Sequence, residues 1–392
     1  MNTRMLVMGG GIGGLAAALA CSRVGVEVEL LERASEFTEV GAGVQLGPNV
    51  VKLLDAWGLQ DALAAVAAFP DRLQVRSALT GAELGVLRLG ERSVQRYGAR
   101  YATIHRADLQ ALLLAAVQRQ TGVRLQLDSA FERYEQNDAG VTVHSSDGRV
   151  RQADLLVGAD GLWSGVRQQL LHDAAPVATG QLAYRAMVVQ RMLPERLRSQ
   201  QVTAWLGPQM HLVQYPVRGG EWLNVVAIVH GQVPGELASW DHSANAAQLR
   251  LSLHDVCTPL RELVHAIDHW RLWGLSIRPP MRGAQEQAQG RVALLGDAAH
   301  PMVPFLAQGA GMAIEDAQAL AQALLNAEAD LPAALQVYAQ ARWQRNARVQ
   351  AGALRNGRIF HATGLVRWGR DSAMKVLGER LLDLPWLYRG PE

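Results

Sequence analysis

Apolar and polar positions follow several rhythms along this chain, and each change of rhythm marks an element. Residues 5–8 are continuously apolar, as in a strand buried on both faces. An alanine-rich stretch over residues 15–24 then keeps helical spacing until Gly25 stops it. Val26-Glu-Val-Glu-Leu30 alternates like a strand and runs out at Glu32. A glycine-rich loop over residues 41–49 leads into a helix over residues 50–57. Residues 73–89 then break into strand-like pieces at Thr80-Gly81 and Gly85. Helical periodicity returns over residues 104–120, and residues 123–161 read as strands with Asp147-Gly148 as a hairpin turn. Residues 179–281 are dominated by strands rich in Trp, Val and Tyr, at 202–206, 210–216 and 223–229. A helical stretch over residues 244–267 closes this part. Residues 292–295 are a short apolar run, Gly309 and Gly311 open a further helix, and the C-terminal part is helical, with Pro332 at one start and Pro385 near the end.

These rhythms predict a mixed α/β protein in which a β-rich part interrupts a βαβ-type part. At 392 residues the chain exceeds a usual single core, so one large or two intertwined domains are expected. Hydrophobic residues make up 49% and charged residues 19%, with a net charge of +2, which excludes a polyanion-binding surface built on bulk charge and gives no reason to expect nucleic acid. Cys21 and Cys257 stand far apart and imply neither a disulfide framework nor a thiolate metal site. With no signal-type segment at residues 5–8 and no apolar run of membrane-spanning length, a cytoplasmic protein without integral membrane association is expected.

The first glycines carry specific chemistry. Gly9-x-Gly11-x-x-Gly14 follows a strand and opens a helix, and the acidic Glu32 ends the next strand. This is the dinucleotide-binding βαβ pattern: the glycines bring backbone against a pyrophosphate at a helix N-terminus, and the carboxylate suits ribose hydroxyls. The pattern alone does not separate NAD from FAD. It occurs once, however, and the regular βα units of a dehydrogenase do not follow it. Asp160-Gly161 ends a second apolar strand, and Gly296-Asp297 ends the run at 292–295, so both acidic turns sit where open α/β sheets hold ligands. The stretch from Arg291 to Asp316 is strand, acidic turn, loop and glycine-opened helix, a ligand-cradling order.

The set Gly9-x-Gly11-x-x-Gly14 with Glu32, Asp160-Gly161 and Gly296-Asp297 resembles the single-component FAD-dependent aromatic hydroxylases, in that family's order and across most of the chain. GAGVQLGPN (Gly41 to Asn49), HRADL (His105 to Leu109), HLVQYPVRGGE (His211 to Glu221) and GDAAHP (Gly296 to Pro301) make it most similar to the 3-hydroxybenzoate 6-hydroxylase, salicylate hydroxylase and 6-hydroxynicotinate 3-monooxygenase branch. The resemblance implies a Rossmann-like FAD-binding domain over residues 1–72, 98–178 and 282–350. It implies an inserted β-sheet substrate domain over 73–97 and 179–281, and a C-terminal helical segment over 351–392.

It further implies FAD as cofactor, with NADH or NADPH as transient co-substrate and O2 as oxidant. Gly9, Gly11 and Gly14 would hold the pyrophosphate and Glu32, with its neighbour Arg33, the adenosine ribose. Arg106 and Gln45 would contact the flavin, Asp297 the ribityl chain, and Asp160 would help place FAD and the nicotinamide. The helix start at Gly309, Ala310, Gly311 and Met312 would stabilise the anionic reduced ring. Hydroxylation through a flavin hydroperoxide needs a phenol whose proton is withdrawn, hence a positioned base. His211 and Tyr215, at i and i+4 on one strand, share a face with Val213 at a Cα separation of roughly 13 Å. His211 is assigned as base or proton relay and Tyr215 as the group orienting the phenol oxygen.

Gln45, Arg185 and Pro304 are the substrate-contact candidates. The 6-hydroxynicotinate enzymes usually carry a His where Gln45 stands, which counts against a hydroxypyridine. The 3-hydroxybenzoate enzymes often carry a Gln where Pro304 stands, which weakens the match to that ring. The expected reaction is hydroxylation of a hydroxylated aromatic acid, 3-hydroxybenzoate to gentisate first and salicylate to catechol second, by a protein that is a monomer or a homodimer. A non-hydroxylating FAD reductase or oxidase and a nicotinamide-binding sensor are the alternatives of a different class. No metal is expected: His265 and His269 have zinc-helix spacing, but Ala266 stands where the protease motif needs Glu. The basic residues Arg367, Arg370, Lys375 and Arg380 are read as a solvated face or subunit contact, because Asp371 and Glu379 lie among them.

Overall fold

The protein was described from a computed structural model, which covers residues 3–37, 42–231, 242–244 (backbone), 246–327 and 330–391. Gly41 of the second glycine loop lies outside the described residues. The fold is mixed α/β. A six-stranded sheet runs in the order Ala288–Gln289, Val292–Leu294, Leu155–Gly158, Arg4–Met8, Glu27–Leu31, Val123–Gln126. Its neighbours are parallel except for the edge pair Ala288–Gln289 and Val292–Leu294. Burial on both faces explains the unbroken apolar run of the first strand. Met5 and Val7 enter a core shared with the helices Ile12–Ser22, Arg106–Gln118 and Gly309–Leu325. Leu6 and Met8 face the opposite way, against a small sheet of Phe131–Gln136, Val141–Ser145 and Val150–Ala153 and the helix Gly165–Leu171.

The second large sheet has eight strands in the order His242–Ala244, Trp270–Ile277, Val177–Val189, Trp222–His230, Met210–Val217, Val202–Gly207, Arg72–Ser77, Glu83–Arg88. Side-chain alternation gives it two different faces. Tyr184, Met210, Leu212, Val225 and Ala227 pack outward against the helices Ala246–Ser252 and Thr258–His265. His211, Ile228 and Trp273 turn inward, toward the loop at residues 301–306 and the helix Leu331–Phe360. The last helices, Gly364–Leu377 and Glu379–Leu382, lie over the edge strand Glu83–Arg88, with Met374 in a cluster with Val75, Leu84 and Leu206.

Three expected elements change. Residues 104–105 belong to a strand, Ala102–His105, and the helix begins at Arg106. The reason is pairing: residues 43–46, expected as loop, form the strand Gly43–Leu46, antiparallel to Ala102–His105. The helical stretch expected from residue 244 is two short helices after a strand at 242–244, the second restarting at Thr258 behind Cys257 as N-cap, with Pro259 in its first turn. Among the described residues no helix is long and apolar enough to cross a membrane.

Candidate active site

The phosphate end of the site is set by backbone proximity. Gly9 has φ +108°, and a Cβ there would sit 2.4 Å from the Ala159 carbonyl oxygen. A Cβ on Gly14 would sit 1.8 Å from the Gly9 oxygen, so the turn closes only with glycine at both places. Gly11 caps the helix Ile12–Ser22 without a side-chain hydrogen bond, leaving the first N–H groups of that helix for an anion. Glu32 accepts from the amides of Gly10 at 2.6 Å and Ala34 at 2.9 Å, which fixes its carboxylate beside the turn, and a carboxylate has lone pairs left for hydroxyl donors. Arg33, next in the chain, is exposed.

The two later acidic turns differ in what they already hold. Asp160 accepts from Ser164, the N-cap of the helix Gly165–Leu171, at 2.5 Å and from the amides of Gly165 and Val166, so it holds that helix start; burial nonetheless raises its pKa. Asp297 is exposed, and its carboxylate lies 4.0 Å from where a Cβ of Gly309 would be. The acidic turn and the start of the helix Gly309–Leu325 are therefore adjacent. At that start Gln308 is the N-cap, and its side-chain Oε1 is buried without a hydrogen-bond partner. The Met312 amide donates to the Gln308 carbonyl at 2.8 Å, and the Met312 side chain is buried against Arg342. Of the four residues expected to face the flavin, Gly309, Ala310 and Gly311 supply the amides that no helical bond uses. A glycine cradle that any Cβ would fill and an orphaned buried acceptor beside an open helix start fit a dinucleotide-type cofactor.

On the substrate side, the inner face of the eight-stranded sheet closes over the strand pair Gly43–Leu46 and Ala102–His105. Gly43 donates to Asn224 at 2.7 Å, Thr103 to the Pro216 carbonyl at 2.5 Å, and Asp108 pairs with Arg218 at 2.9 Å. His211 and Tyr215 are both buried. Burial drives the His211 pKa well below its ordinary value, with His361 adding to the effect. Burial raises the Tyr215 hydroxyl, against an opposing pull from Arg185. Arg185 lies 5.0 Å over the Trp273 ring, its Nε is buried without a hydrogen-bond partner, and burial brings its pKa down to about 10. Tyr215 and Arg106 both act on it electrostatically, so the three form one group. Gln45 accepts from the Tyr101 hydroxyl at 2.7 Å. Pro304 is exposed; its neighbour Phe305 is buried and meets the His211 ring edge-on at 4.9 Å.

Several residues of the site carry no local signal in the sequence. His361 follows the helix Leu331–Phe360 and lies 2.7 Å from His211 across 150 positions, and His230 lies 3.2 Å from His361. Phe305 and Tyr101 are two more such residues: period-two alternation over 101–105 would put Tyr101 with Thr103 and His105, opposite Ala102 and Ile104, whereas residues 101–104 are all buried. His265 and His269 are both exposed.

Among the described residues one glycine turn of this kind opens on the six-stranded sheet, and the eight-stranded sheet turns His211, Tyr215 and Arg185 toward the same interior, an arrangement with room for a dinucleotide-type cofactor on one side and an anionic ligand on the other. Residues 2–353 match the FAD binding domain family. The chain belongs to this family, the FAD-dependent aromatic monooxygenases, and its cofactor is FAD. It is similar to the 3-hydroxybenzoate 6-hydroxylase of Polaromonas naphthalenivorans (strain CJ2), 40% identical over 386 residues, 98% of this chain and 95% of the relative. It is also similar to that of Klebsiella oxytoca, 36% identical over 388 residues, 98% and 96% of the two chains. Among solved structures, a salicylate hydroxylase substrate complex superposes with TM-score 0.82 at 28% identity, covering 99% of this chain and 95% of the other. Klebsiella pneumoniae HpxO complexed with FAD and uric acid does so with TM-score 0.84 at 26% identity, covering 97% and 94%.

Proposed function

We propose that this protein hydroxylates 3-hydroxybenzoate at the ring carbon para to the phenol oxygen, giving gentisate and consuming NADH or NADPH and O2. The observation that carries this reading is the inner-face group: the buried imidazole of His211, held neutral by burial, and near it the half-buried Arg185 guanidinium, whose Nε is buried without a hydrogen-bond partner. Full-length similarity to enzymes named for this reaction supports it. Bound FAD supplies the oxygen-transfer chemistry once reduced. Gly9, Gly11 and Gly14 hold its pyrophosphate, Glu32 and Arg33 its adenosine ribose, Asp297 its ribityl chain, and the open amides of Gly309, Ala310 and Gly311 its pyrimidine edge. Met312 shapes that helix start from behind. Arg106 and Gln45 flank the ring, and Asp160 holds the adjoining helix.

His211 accepts the phenol proton on Nε2, because its Nδ1 is turned to His361. Tyr215 lies within electrostatic reach of Arg185, two strands away in the sheet, so we assign it to the carboxylate rather than to the phenol oxygen; Arg185 supplies the charge. Pro304 shapes the loop that carries Phe305. The division into a FAD-binding domain (1–72, 98–178, 282–350), a substrate domain (73–97, 179–281) and a C-terminal segment (351–392) belongs to the same proposal. So do a cytoplasmic location, consistent with the free cysteines, and a homodimer, for which the exposed Leu365, Val366 and Trp368 supply an apolar surface. Salicylate is the second reading, favoured by the superposition on a salicylate hydroxylase.

A panel of 3-hydroxybenzoate, salicylate and 6-hydroxynicotinate separates these readings. The expected result is NAD(P)H consumption accelerated by 3-hydroxybenzoate with gentisate as product. Catechol from salicylate would transfer the assignment to the second reading, and NAD(P)H consumption with no hydroxylated product would make the protein a reductase. His211→Ala is expected to keep FAD and lose about 10²–10⁴-fold in hydroxylation. Parent rates in both His211→Ala and Tyr215→Phe would remove the site assignment.

A further inference from the structure

Behind His211 the inner face of the sheet continues as a line of imidazoles. His211 Nδ1 lies 2.7 Å from His361 Nε2, and His361 Nδ1 lies 3.2 Å from His230 Nε2. The rings stand 5.0 Å and 5.2 Å apart, centre to centre. His211 is 3% and His361 8% exposed, whereas His230 is open to solvent. Phe305 and Phe360 close over the His211 ring at 4.9 Å and 5.3 Å, walling off the inner end. The three residues come from two neighbouring strands and from the C-terminal end of the helix Leu331–Phe360, so they meet only through tertiary packing.

We propose that His361 and His230 form a proton relay that carries the substrate's phenol proton from His211 to bulk solvent. The inference rests on the reading of His211 as base. The atom pairing suits it, since each inner imidazole presents one nitrogen inward and the other outward. The phenol O–H bond breaks and its proton goes to His211 Nε2. The His211 Nδ1 proton passes to His361 Nε2, the His361 Nδ1 proton to His230 Nε2, and the His230 Nδ1 proton to water. One phenolate is formed and one proton released; the imidazoles end in the opposite tautomer and reset by returning through the same path or by ring rotation.

The surroundings keep the proton moving. Burial and the neighbouring His230 hold His361 down to about 4, with Arg370 of the next helix acting in the same direction, and His211 is held low by burial and His361. Neither imidazole is a resting place for a proton at neutral pH. The groups facing His361 are His211 and His230 on the sheet, Gln181, whose amide lies 3.3 Å from Nδ1, and Arg370. The Gln181 amide meets either tautomer by turning over.

The test follows proton release when 3-hydroxybenzoate binds the oxidised, FAD-loaded protein, read by an indicator dye in stopped flow without turnover. His361→Gln and His230→Gln are expected to slow release by at least about tenfold. Added imidazole should restore the rate in both, and the parent should be insensitive to it. His211→Ala should release no proton. If His211→Ala is silent while both glutamine variants match the parent, the relay is wrong and the base assignment stands. If His211→Ala releases its proton at the parent rate, the base assignment fails and takes the relay with it. A slow, imidazole-rescued His361→Gln beside a parent-like His230→Gln overturns the three-residue path by ending it at His361. Should His361→Gln lose FAD, the exposed His230→Gln decides by itself.

Discussion

Arg185 and His361 show what a single group on the inner face does to binding and to stability. The Arg185 guanidinium is paired with no carboxylate among the described residues and sits against Trp273, so a bound carboxylate would be its first full charge partner. Removing it with Arg185→Met takes away binding common to ground and transition state. KM for 3-hydroxybenzoate should rise by roughly 10–100-fold while kcat changes little, because a hydrogen bond to a charged group is worth about 1.5–3 kcal/mol. A collapse of kcat at unchanged KM would place Arg185 elsewhere. His361 predicts a pH dependence. Its pKa falls on folding from 6.5 to about 4, so between those values the unfolded chain binds more protons than the folded one. Stability therefore rises with pH across that window, is fully present above about 6.5, and is lost as pH falls toward about 4. The unfolding midpoint should drop on acidification through this range, and His361→Gln should flatten the slope by an amount on the order of 1 kcal/mol. An unchanged slope would mean that another group titrates there.

Among the elements, the two glycine-opened helices are the ones we propose to hold the cofactor, and they tolerate change differently. At Gly14 an added methyl meets backbone at 1.8 Å, which no rotamer relieves. At Gly311 it meets the Val50 side chain at 2.8 Å and Gln308 Oε1 at 3.2 Å, both able to shift. Gly14→Ala is expected to yield protein without FAD, and Gly311→Ala to retain it with roughly tenfold weaker affinity, about 1.4 kcal/mol, measured by flavin fluorescence on dilution. Equal retention in both would show that the first turn does not approach the pyrophosphate. The first helix was legible because its glycines are adjacent and each has one steric reason. The strand at 43–46 was not, because its partner lies at 102–105 and only that pairing turns a glycine-rich stretch into a strand. His211 could be picked out as a candidate from its spacing to Tyr215 on one strand, while His361 and Phe305 were silent, since what brings them to the candidate site is a contact across distant chain. Arg185 was a substrate-contact candidate with no motif behind it, and the argument for it rests on Trp273 and Tyr215 beside it.

Across the whole molecule, the cofactor end and the C-terminus are joined by buried charge. Arg342 is fully buried and reaches Glu315 at 2.9 Å and Asp316 at 2.7 Å, both fully buried as well. Asp316 also accepts from the Gly296 amide at 3.1 Å and pairs with His300 at 2.5 Å, which ties the acidic turn to the helix Gly309–Leu325. Burial works to raise the Asp316 carboxyl, but His300 and Arg342 outweigh it and hold it well below the usual range. Arg345 pairs with Glu315 at 2.7 Å and donates to the carbonyls of Trp386 and Leu387, so the C-terminal turn is held by the same cluster. Arg342→Met leaves Asp316 with the His300 ring, Asn346 and the Gly296 amide as partners and both carboxylates without their shared guanidinium. A loss of about 3–5 kcal/mol in unfolding free energy is expected, read from the denaturant midpoint. Arg345→Met removes a partly exposed charge while Arg342 stays on Glu315, and should cost less, about 1–2 kcal/mol. Because the cluster anchors the turn bearing Asp297 and the helix start at Gly309, FAD should leave the Arg342→Met protein at a lower denaturant concentration than the parent, in step with unfolding. Release of FAD well before unfolding, or an Arg345→Met protein less stable than Arg342→Met, would show that the cluster holds the C-terminus rather than the cofactor turn.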